Sequence, residues 1–326
     1  MKSKVFVTRI IPDEGLAMLR EAVDAKVWQE ELPPSREVLL QEVRQAEGLL
    51  SLLTDKIDGE LMDANPGLRV ISNYAVGFDN IDVPAATARR IPVGNTPGVL
   101  TETTADLAFT LLMSAARRIV EGVDYVRAGH WKTWGPKLLT GPDIHHATLG
   151  IIGFGRIGQT MARRARGFEM RILYHDVYRR EDLEGSMGVT YADLDTIYRQ
   201  ADFLSVHTDL NQATRHMINA DAFARMKPSA ILINTARGPI VDPNALYEAL
   251  ASGKIRAAAL DVTEPEPIPT DSPLLKLANC IMVPHIASAS IATRAKMAEM
   301  AAANVIAGLR GEKLPTCVNP EVYENR

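Results

Sequence analysis

Cysteine is scarce in this sequence, which has only Cys280 and Cys317 among its 326 residues. Two such residues supply neither a disulfide framework nor a metal-binding spacing, so we expect free thiols, a reducing cytoplasm and no bound metal. No stretch approaches the roughly 18 apolar residues that span a bilayer, and the apolar run at residues 5–7 is too short for a signal peptide. These absences argue against a membrane partner.

An excess of basic residues is also missing, because 36 Lys and Arg stand against 40 Asp and Glu and leave a net charge of -4. Interspersed charges of both signs argue against nucleic acid as a partner. Hydrophobic residues make up 46% of the chain, and its length exceeds what one hydrophobic core usually accommodates. We therefore expect a cytoplasmic protein of two well-packed domains.

The chain alternates short apolar runs with amphipathic segments, which is typical of parallel β-α-β units. In the first hundred residues the pattern predicts strands at 5–10, 48–53, 68–74 and 91–93. The pattern restarts after a long helix. The N-terminus of this helix is predicted at Thr103, which has capping-box spacing to Asp106. Further strands are predicted at 149–152, 171–175, 203–206, 230–233, 255–260 and 280–283, and an amphipathic helix spans 291–309.

A glycine turn at residues 153–158 directly follows the apolar strand at 149–152 and opens a helix. Gly153, Gly155 and Gly158 permit a tight turn, a close approach of the backbone to pyrophosphate, and close packing of helix on strand. The next strand ends on Asp176, where a carboxylate can accept hydrogen bonds from the adenosine ribose hydroxyls. The combination predicts a nicotinamide dinucleotide site.

Asp176 favours NAD, since a carboxylate repels the 2'-phosphate of NADP and competes for the same place. Arg179 and Arg180 follow shortly after and could reach such a phosphate if their loop folds back. A solvated basic loop is the favoured interpretation. NAD is the predicted cofactor, and NADP stays open.

Three further segments follow predicted strands and carry chemically useful side chains, namely Arg237, Glu266 and His285. Ligands of an open parallel sheet bind beyond the carboxyl ends of its strands, so we expect these side chains to converge near the glycine turn. Imidazole titrates near neutral pH, which makes His285 the candidate acid and base. A guanidinium such as that of Arg237 suits a carboxylate.

Together these motifs resemble the D-isomer-specific 2-hydroxyacid dehydrogenase family, in particular its glyoxylate and hydroxypyruvate reductase branch. The resemblance extends over nearly the whole chain: Asn-Tyr-Ala-Val-Gly-Phe-Asp-Asn-Ile-Asp at 73–82, the glycine turn, and Arg, Glu and His in family order. Trp131, Trp134, Pro136 and the segments 150–153 and 311–315 point to the branch.

The resemblance implies a role for each candidate residue. Glu266 would hydrogen-bond the far nitrogen of His285, while Glu264, two residues away, is taken as a loop carboxylate. Arg237 would hold the substrate carboxylate and polarise the carbonyl. Backbone N–H groups of Val76 and Gly77 would bind the same carboxylate. The remaining implied cofactor contacts are Thr104, Arg156, Ile157, Thr235, Ala236, Asp261, which would bond the nicotinamide carboxamide, and His285 itself.

Other positions bear on the pocket and on departures from the family. Leu53 and Trp134 are candidate pocket walls, although core packing is the commoner use of such residues. Asp209 stands where many members have proline, which puts the adenosine end in doubt. Ala287 stands where glycine is frequent, and we expect a small effect.

Several rival functions share this fold. Phosphite dehydrogenases usually carry lysine where this chain has Val76, and formate dehydrogenases replace the glutamate, so neither activity fits this chain well, although phosphite is kept as an alternative substrate. A dehydrogenase for another D-2-hydroxy acid stays open. So does an NAD-sensing scaffold resembling corepressors of this fold, which keep the same three residues. Turnover with a 2-oxo acid would separate enzyme from sensor.

The sequence therefore predicts an α/β protein with two doubly wound parallel-sheet domains and an active-site cleft between them. A discontinuous, flavodoxin-like substrate domain would comprise residues 1–100 and 287–326, and a Rossmann NAD-binding domain would comprise 101–286. The resemblance implies NADH-dependent reduction of glyoxylate to glycolate and of hydroxypyruvate to D-glycerate. It also implies a homodimer formed through the long helix and the segment 131–134.

Overall fold

The computed structural model describes residues 2–324. Met1, Asn325 and Arg326, which fall at the ends of the predicted outer domain, lie outside the described residues. The chain forms two compact units, one from the residues up to Leu100 and from Ala289 onward, the other from Thr101–Ser288. Residues 287 and 288, assigned to the outer domain from the sequence, thus fall in the second unit, where the N–H of Ala287 donates to Asp261.

The first unit is a five-stranded sheet whose strands all run parallel, in the order β2-β1-β3-β4-β5. Strands β3 and β4 in the middle of this sheet are buried at every position, including the polar Ser51 and Asn73 at their carboxyl ends, which are hydrogen-bonded to each other at 3.0 Å. The order is that of flavodoxin-like sheets. The elements are β1 (Lys4–Val7), α1 (Asp13–Ala22), β2 (Asp24–Val27), α2 (Arg36–Val43), β3 (Gly48–Ser51), α3 (Gly59–Asp63), β4 (Val70–Asn73), α4 (Val83–Ala88) and β5 (Val93–Gly94).

The second unit contains seven parallel strands in the order β12-β11-β10-β9-β6-β7-β8. Its elements are α5 (Thr101–Ala116), α6 (Ile119–Arg127), β6 (Thr148–Ile152), α7 (Arg156–Arg166), β7 (Arg171–His175), α8 (Glu181–Met187), β8 (Val189–Tyr191), α9 (Leu194–Gln200), β9 (Phe203–Val206), α10 (Ala220–Arg225), β10 (Ile231–Asn234), α11 (Pro243–Ala251), β11 (Ala257–Leu260) and β12 (Cys280–Met282). Counted from β6, this is the 3-2-1-4-5-6 order of dinucleotide-binding sheets with one further strand.

Two hydrophobic cores cover the two faces of this second sheet. Helices α5 and α7 contribute to one core, and α9, α10 and α11 contribute to the other. The strand order reverses between β6 and β9, which is where open α/β sheets bind ligands. The glycine turn that follows β6 therefore begins at the reversal point of the sheet.

The last helix, α12 (Ile291–Leu309), returns the chain to the first unit and packs on α1, β3 and β4. Small residues make this close approach feasible: a Cβ at Gly15 would overlap the Ala298 backbone, and one at Gly308 would overlap Val70. Tyr74 donates from its hydroxyl to the carbonyl of Arg294 at 2.9 Å. The discontinuous unit is thus held by packing along most of α12.

The structure confirms the predicted fold class of two doubly wound parallel sheets and corrects several local expectations. The edge strands β2 and β8 were missed, since their exposed and half-exposed residues lack an apolar run. The capping-box expectation at Thr103 is wrong. Helix α5 begins at Thr101, and the carboxylate of Asp106 binds Arg164 of α7 at 2.5 Å. Among residues 2–324, no helix combines the length and apolarity required to cross a membrane.

Candidate active site

The glycine turn of the second unit is tightly packed at Gly153 and Gly158 and open at Gly155. Gly153 has φ of +90°, and a Cβ there would lie 2.5 Å from the N of Thr208. A Cβ at Gly158 would overlap the carbonyl oxygen of Gly153, so α7 packs directly on the turn. At Gly155 a Cβ would meet nothing within 4 Å, which leaves open space above this position.

The surroundings of the turn fit a dinucleotide. Helix α7 starts at Arg156 with Gly155 as its N-cap and no capping side chain, so its first N–H groups can bind phosphate oxygens. In the loop after β10, the hydroxyl of Thr235 is buried and has no hydrogen-bond partner among the described residues. A buried hydroxyl normally has one, so a bound ligand atom is a natural partner. The predicted contact residues Ile157 and Ala236 lie in the same two segments.

Asp176 takes part in the architecture of the glycine turn itself. Its Oδ2 accepts a hydrogen bond from the N–H of Phe154 at 2.6 Å, and its Oδ1 accepts one from Tyr178 at 3.1 Å. The carboxylate therefore ties the end of β7 to the turn after β6, an anchoring role that the sequence analysis missed. Each oxygen retains a lone pair for a further hydrogen bond. The hydrogen bonds that Asp176 would accept from ribose hydroxyls stay a prediction.

His285 and Glu266 form a hydrogen-bonded pair in the second unit. The distance from His285 Nδ1 to Glu266 Oε1 is 2.6 Å, and the side chains are 25% and 34% exposed. Burial opposes ionisation of Glu266, but its bond with His285 and the charges of His285 and Arg237 hold its pKa below the ordinary value. An ionised Glu266 can only accept, so Nδ1 carries the proton of the bond.

Asp261 anchors the loop that carries His285. Its carboxylate accepts hydrogen bonds from the N–H groups of Ile286 at 2.6 Å and Ala287 at 2.9 Å, while its carbonyl accepts one from His285 at 2.9 Å. His285 has φ of +52°, a conformation that non-glycine residues rarely adopt without such support. Burial raises the pKa of Asp261, and the two backbone N–H groups oppose that shift. Its predicted bond to a nicotinamide carboxamide stays a prediction.

Arg237 is half-buried, and hydrogen bonds within its own loop fix both its carbonyl and its guanidinium group. The amide of Asn234 donates to the Arg237 carbonyl at 2.9 Å, and the guanidinium Nη1 donates to the carbonyl of Ala236 at 2.8 Å. A Cβ at Gly238 would overlap the carbonyl of Thr263, so the loop after Arg237 packs against the segment that leads to Glu266. The structure thus brings Arg237, Glu266 and His285 together beyond the carboxyl ends of β10, β11 and β12.

Glu264 has different partners from Glu266. It binds Arg215 at 2.6 Å and the Nε2 of His216 at 2.5 Å, both of which follow β9. The sequence assignment of Glu264 as a loop carboxylate and Glu266 as the partner of His285 agrees with these contacts.

In the first unit, asparagine side chains shape the predicted carboxylate-binding turn. The amide of Asn95 donates to the Val76 carbonyl at 2.8 Å, and that of Asn73 donates to the Gly77 carbonyl at 2.9 Å. Asn80 joins the same network, with its oxygen 3.0 Å from the Asn73 nitrogen. Within residues 2–324 the N–H groups of Val76 and Gly77 donate to no other group. The sequence alone gives no sign of these asparagine contacts, because the backbone groups that they bind are set by the fold.

The remaining candidates occupy varied surroundings. Thr104 is buried in the first turns of α5, Leu53 is half-exposed after β3, and Trp134 is 78% exposed. Asp209 is exposed, and its carbonyl accepts from the hydroxyl of Thr214 at 2.6 Å, so its loop closes without proline. Ala287 is buried.

The second unit, with its strand order, glycine turn and adjacent ionisable pair, is the dinucleotide-binding domain of an oxidoreductase. The family model for the NAD binding domain of D-isomer specific 2-hydroxyacid dehydrogenases matches residues 109–287. The chain belongs to this family, as its sequence resemblance implied.

Relatives extend the match over the whole chain. It is 54% identical to a glyoxylate reductase of Korarchaeum cryptofilum, over 100% of this chain and 98% of the relative. A glyoxylate reductase of Thermococcus litoralis is 48% identical over 99% and 98%. The fold matches a NADPH-dependent glyoxylate/hydroxypyruvate reductase from Sinorhizobium meliloti, in complex with NADP and malonate, with a TM-score of 0.87 and 33% identity over 100% and 99%.

Proposed function

We propose that this chain reduces small 2-oxo acids with NADH, converting glyoxylate to glycolate and hydroxypyruvate to D-glycerate. The observation that carries the proposal is the His285–Glu266 pair, 2.6 Å apart, beside Arg237 in a dinucleotide-binding domain. The glyoxylate reductases with about half their sequence in common support the substrate class.

NADH supplies the hydride that reduces the carbonyl carbon of the substrate. In the proposed reaction, Arg237 binds the carboxylate and polarises the carbonyl oxygen, because its planar guanidinium can donate several parallel hydrogen bonds. His285 donates the proton from Nε2 to that oxygen and recovers it from solvent. Glu266 keeps the imidazole oriented and stabilises its protonated form.

The free N–H groups of Val76 and Gly77 would bind the substrate carboxylate as well. The peptide groups that carry these two donors are fixed, because the Ala75 carbonyl accepts from the N–H of Thr96 at 2.9 Å and the Val76 carbonyl accepts from Asn95 at 2.8 Å. The two donors are therefore oriented before the substrate arrives. A small acid such as glyoxylate has little beyond its carboxylate to bind. The proposal therefore assigns most of the substrate-binding energy to this turn and to Arg237.

Cofactor preference follows from Asp176, whose carboxylate lies at the glycine turn. The proposal gives its remaining lone pairs to the ribose hydroxyls of NAD, where a 2'-phosphate would meet a negative charge. NADP binding by the Sinorhizobium meliloti enzyme is a property of that protein.

The experiment is a panel of 2-oxo acids assayed with NADH and with NADPH on the purified chain. We expect glyoxylate and hydroxypyruvate to give the highest kcat/KM and NADH to be preferred. If no 2-oxo acid supports NADH oxidation while NADH still binds, the chain is a sensor and the proposal fails.

The proposal includes a homodimer, which the sequence analysis places on the long helix and the segment 131–134. That helix is α5, and its apolar stripe lies in the core of the second unit, so the proposal moves the interface to the neighbouring helix α6 and the segment after it. Helix α6 has no buried residue, although Ile119, Val123 and Val126 are apolar and exposed. These side chains line a cavity of about 490 Å³ together with Leu139. An apolar helix face of this kind usually marks an interface. A homodimer interface explains this exposed apolar face better than a helix that faces solvent.

Sedimentation of wild type and of Val123→Asp tests the homodimer. The variant should be monomeric, or dissociate at far higher concentration than wild type, because a charge would be buried in the interface. Glu121→Gln on the same helix is the control and should leave the dimer intact. A monomeric wild type would contradict the assignment. The proposed location is the cytoplasm, which suits the free thiols of Cys280 and Cys317.

A further inference from the structure

Two arginines follow Asp176 closely enough to matter for cofactor choice. Arg179 and Arg180 lie between β7 and α8, in the loop where NADP-binding proteins of this fold place the cations that hold the 2'-phosphate. If these guanidinium groups were available, they would offset the repulsion from Asp176 and admit NADPH. The partners of these two side chains therefore bear on cofactor specificity.

Both guanidinium groups are engaged in two-point ion pairs with carboxylates of α8. Arg179 donates from Nε and Nη2 to the two oxygens of Glu184, at 2.8 and 3.0 Å. Arg180 donates from Nε and Nη2 to the two oxygens of Asp182, at 2.9 and 2.7 Å. This is the fork geometry in which arginine binds a carboxylate or a phosphate, so either acid is a direct competitor of a phosphate.

The pair of Arg179 with Glu184 is anchored to the interior of the domain. The hydroxyl of Tyr174 donates to Glu184 at 3.0 Å and accepts from the N–H of Arg180 at 2.8 Å. Tyr174 is fully buried, and its ring stacks on Phe154 of the glycine turn at 4.1 Å between centroids. The bond from Tyr174 therefore keeps Glu184 in place, so Glu184 cannot move together with Arg179 toward a ligand at the glycine turn.

Arg179 has further contacts with α8 and with β8. Its guanidinium lies over the ring of Tyr191, 5.6 Å from the centroid, and its Nη1 is 3.4 Å from Glu181. The bond with Glu184 raises the pKa of Arg179, and the bond with Arg179 lowers the pKa of Glu184, so both stay charged at neutral pH. To bind a phosphate, Arg179 would have to leave all of these partners.

We propose that Glu184 and Asp182 determine cofactor specificity by holding Arg179 and Arg180 in ion pairs and so withholding them from the 2'-phosphate of NADPH. They are positioning residues, because they act through the arginines. The inference rests on the proposed binding of the adenosine ribose at Asp176. It adds a second element to the preference for NADH, since NADPH must break an ion pair to gain one.

Glu184→Gln, Asp182→Asn and the double variant test the inference. The amides keep the size of the side chains and remove the charge that holds each arginine. Dissociation constants for NADH and NADPH are measured without substrate by protein fluorescence, and kcat/KM is measured with glyoxylate. The ratio of NADPH to NADH dissociation constants should fall about two- to fivefold for each single variant and about tenfold for the double variant, as expected for exposed ion pairs.

Two controls make the result specific. Asp195→Asn removes a comparable ion pair, with Arg199 at 2.8 Å in α9, and should leave the ratio unchanged. Adding Arg179→Met and Arg180→Met to the double variant should abolish the gain in NADPH binding. If the gain persists without the arginines, it comes only from the loss of negative charge, and the inference is wrong.

A ratio that stays unchanged in folded variants also overturns the inference. Asp182 is exposed and its substitution leaves the Tyr174 contact untouched, so this variant folds even if Glu184→Gln does not. Asp176→Ser distinguishes the two levels of the argument. If it alters neither NADH nor NADPH binding, the proposed ribose position fails. If it improves NADPH binding while the α8 variants do not, only the role of Glu184 and Asp182 fails.

Discussion

Replacing Glu266 by glutamine isolates the contribution of its charge to catalysis. The glutamine oxygen can still accept the proton of His285 Nδ1, so the tautomer and orientation of the ring are retained, but the imidazolium loses its anionic partner. Because the hydrogen bond is kept, the loss is the difference between a charged and a neutral bond, about 1–1.5 kcal/mol, which corresponds to about a tenfold change. Reduction needs the protonated ring, so its loss above a given pH defines a basic limb.

The sign of the effect follows directly. Without the negative charge the protonated ring is less stable, so the basic limb of kcat/KM for glyoxylate should move to lower pH. At a fixed pH on that limb, kcat/KM should fall about tenfold. Dissociation constants for NADH should change little, since Glu266 contacts His285 and Thr263.

The assay is glyoxylate reduction followed by the loss of NADH absorbance across a series of buffers. Glu264→Gln is the matched control, because Glu264 binds Arg215 and His216. Its basic limb should coincide with that of wild type. If the limb of Glu266→Gln also coincides with wild type, the charge of Glu266 does not support the acid, and the reasoning is refuted.

Further predictions concern the cofactor domain. Gly158→Ala should destabilise folding by about 1–3 kcal/mol in urea titrations, because its Cβ would overlap the Gly153 carbonyl, whereas Gly155→Ala should keep wild-type stability and weaken NADH binding. Equal loss of stability in both would contradict the packing described. Burial lowers the pKa of His207 from 6.5 to about 4. The neutral side chain therefore contributes fully to folding stability above about pH 6.5, and this contribution is lost as the pH falls toward 4. That loss is up to about 3 kcal/mol, and His207→Asn should flatten the pH dependence of the urea midpoint over this range. Parallel curves for wild type and His207→Asn would exclude this role.

The sequence predicts most of the second unit because its signals are local and strong. Strands such as β9 and β10 are buried at every position, and buried parallel strands are continuous apolar runs. The spacing of Gly153, Gly155 and Gly158 is dictated by sterics that the structure reproduces. The order of Arg237, Glu266 and His285 along the chain could be interpreted because each follows a strand of one sheet.

What the sequence does not disclose depends on contacts between distant segments. Asp261 supports the backbone after His285, and Asn95 fixes the carbonyl of Val76, across 25 and 19 residues respectively. A polar residue after a strand carries no sign of which backbone group it will bind. The same reason explains why the predicted N-terminus of α5 is wrong: Asp106 forms an ion pair with Arg164 of α7 and does not cap the helix.

The central claim is that His285 is the acid that makes this dinucleotide-binding chain a 2-oxo acid reductase. The most direct measurement is kcat for glyoxylate reduction by His285→Ala, together with NADH binding followed by fluorescence on the same sample. We expect kcat to fall by about 10²–10⁴-fold while NADH binding stays nearly that of wild type. Retained turnover, with NADH binding intact, would contradict it.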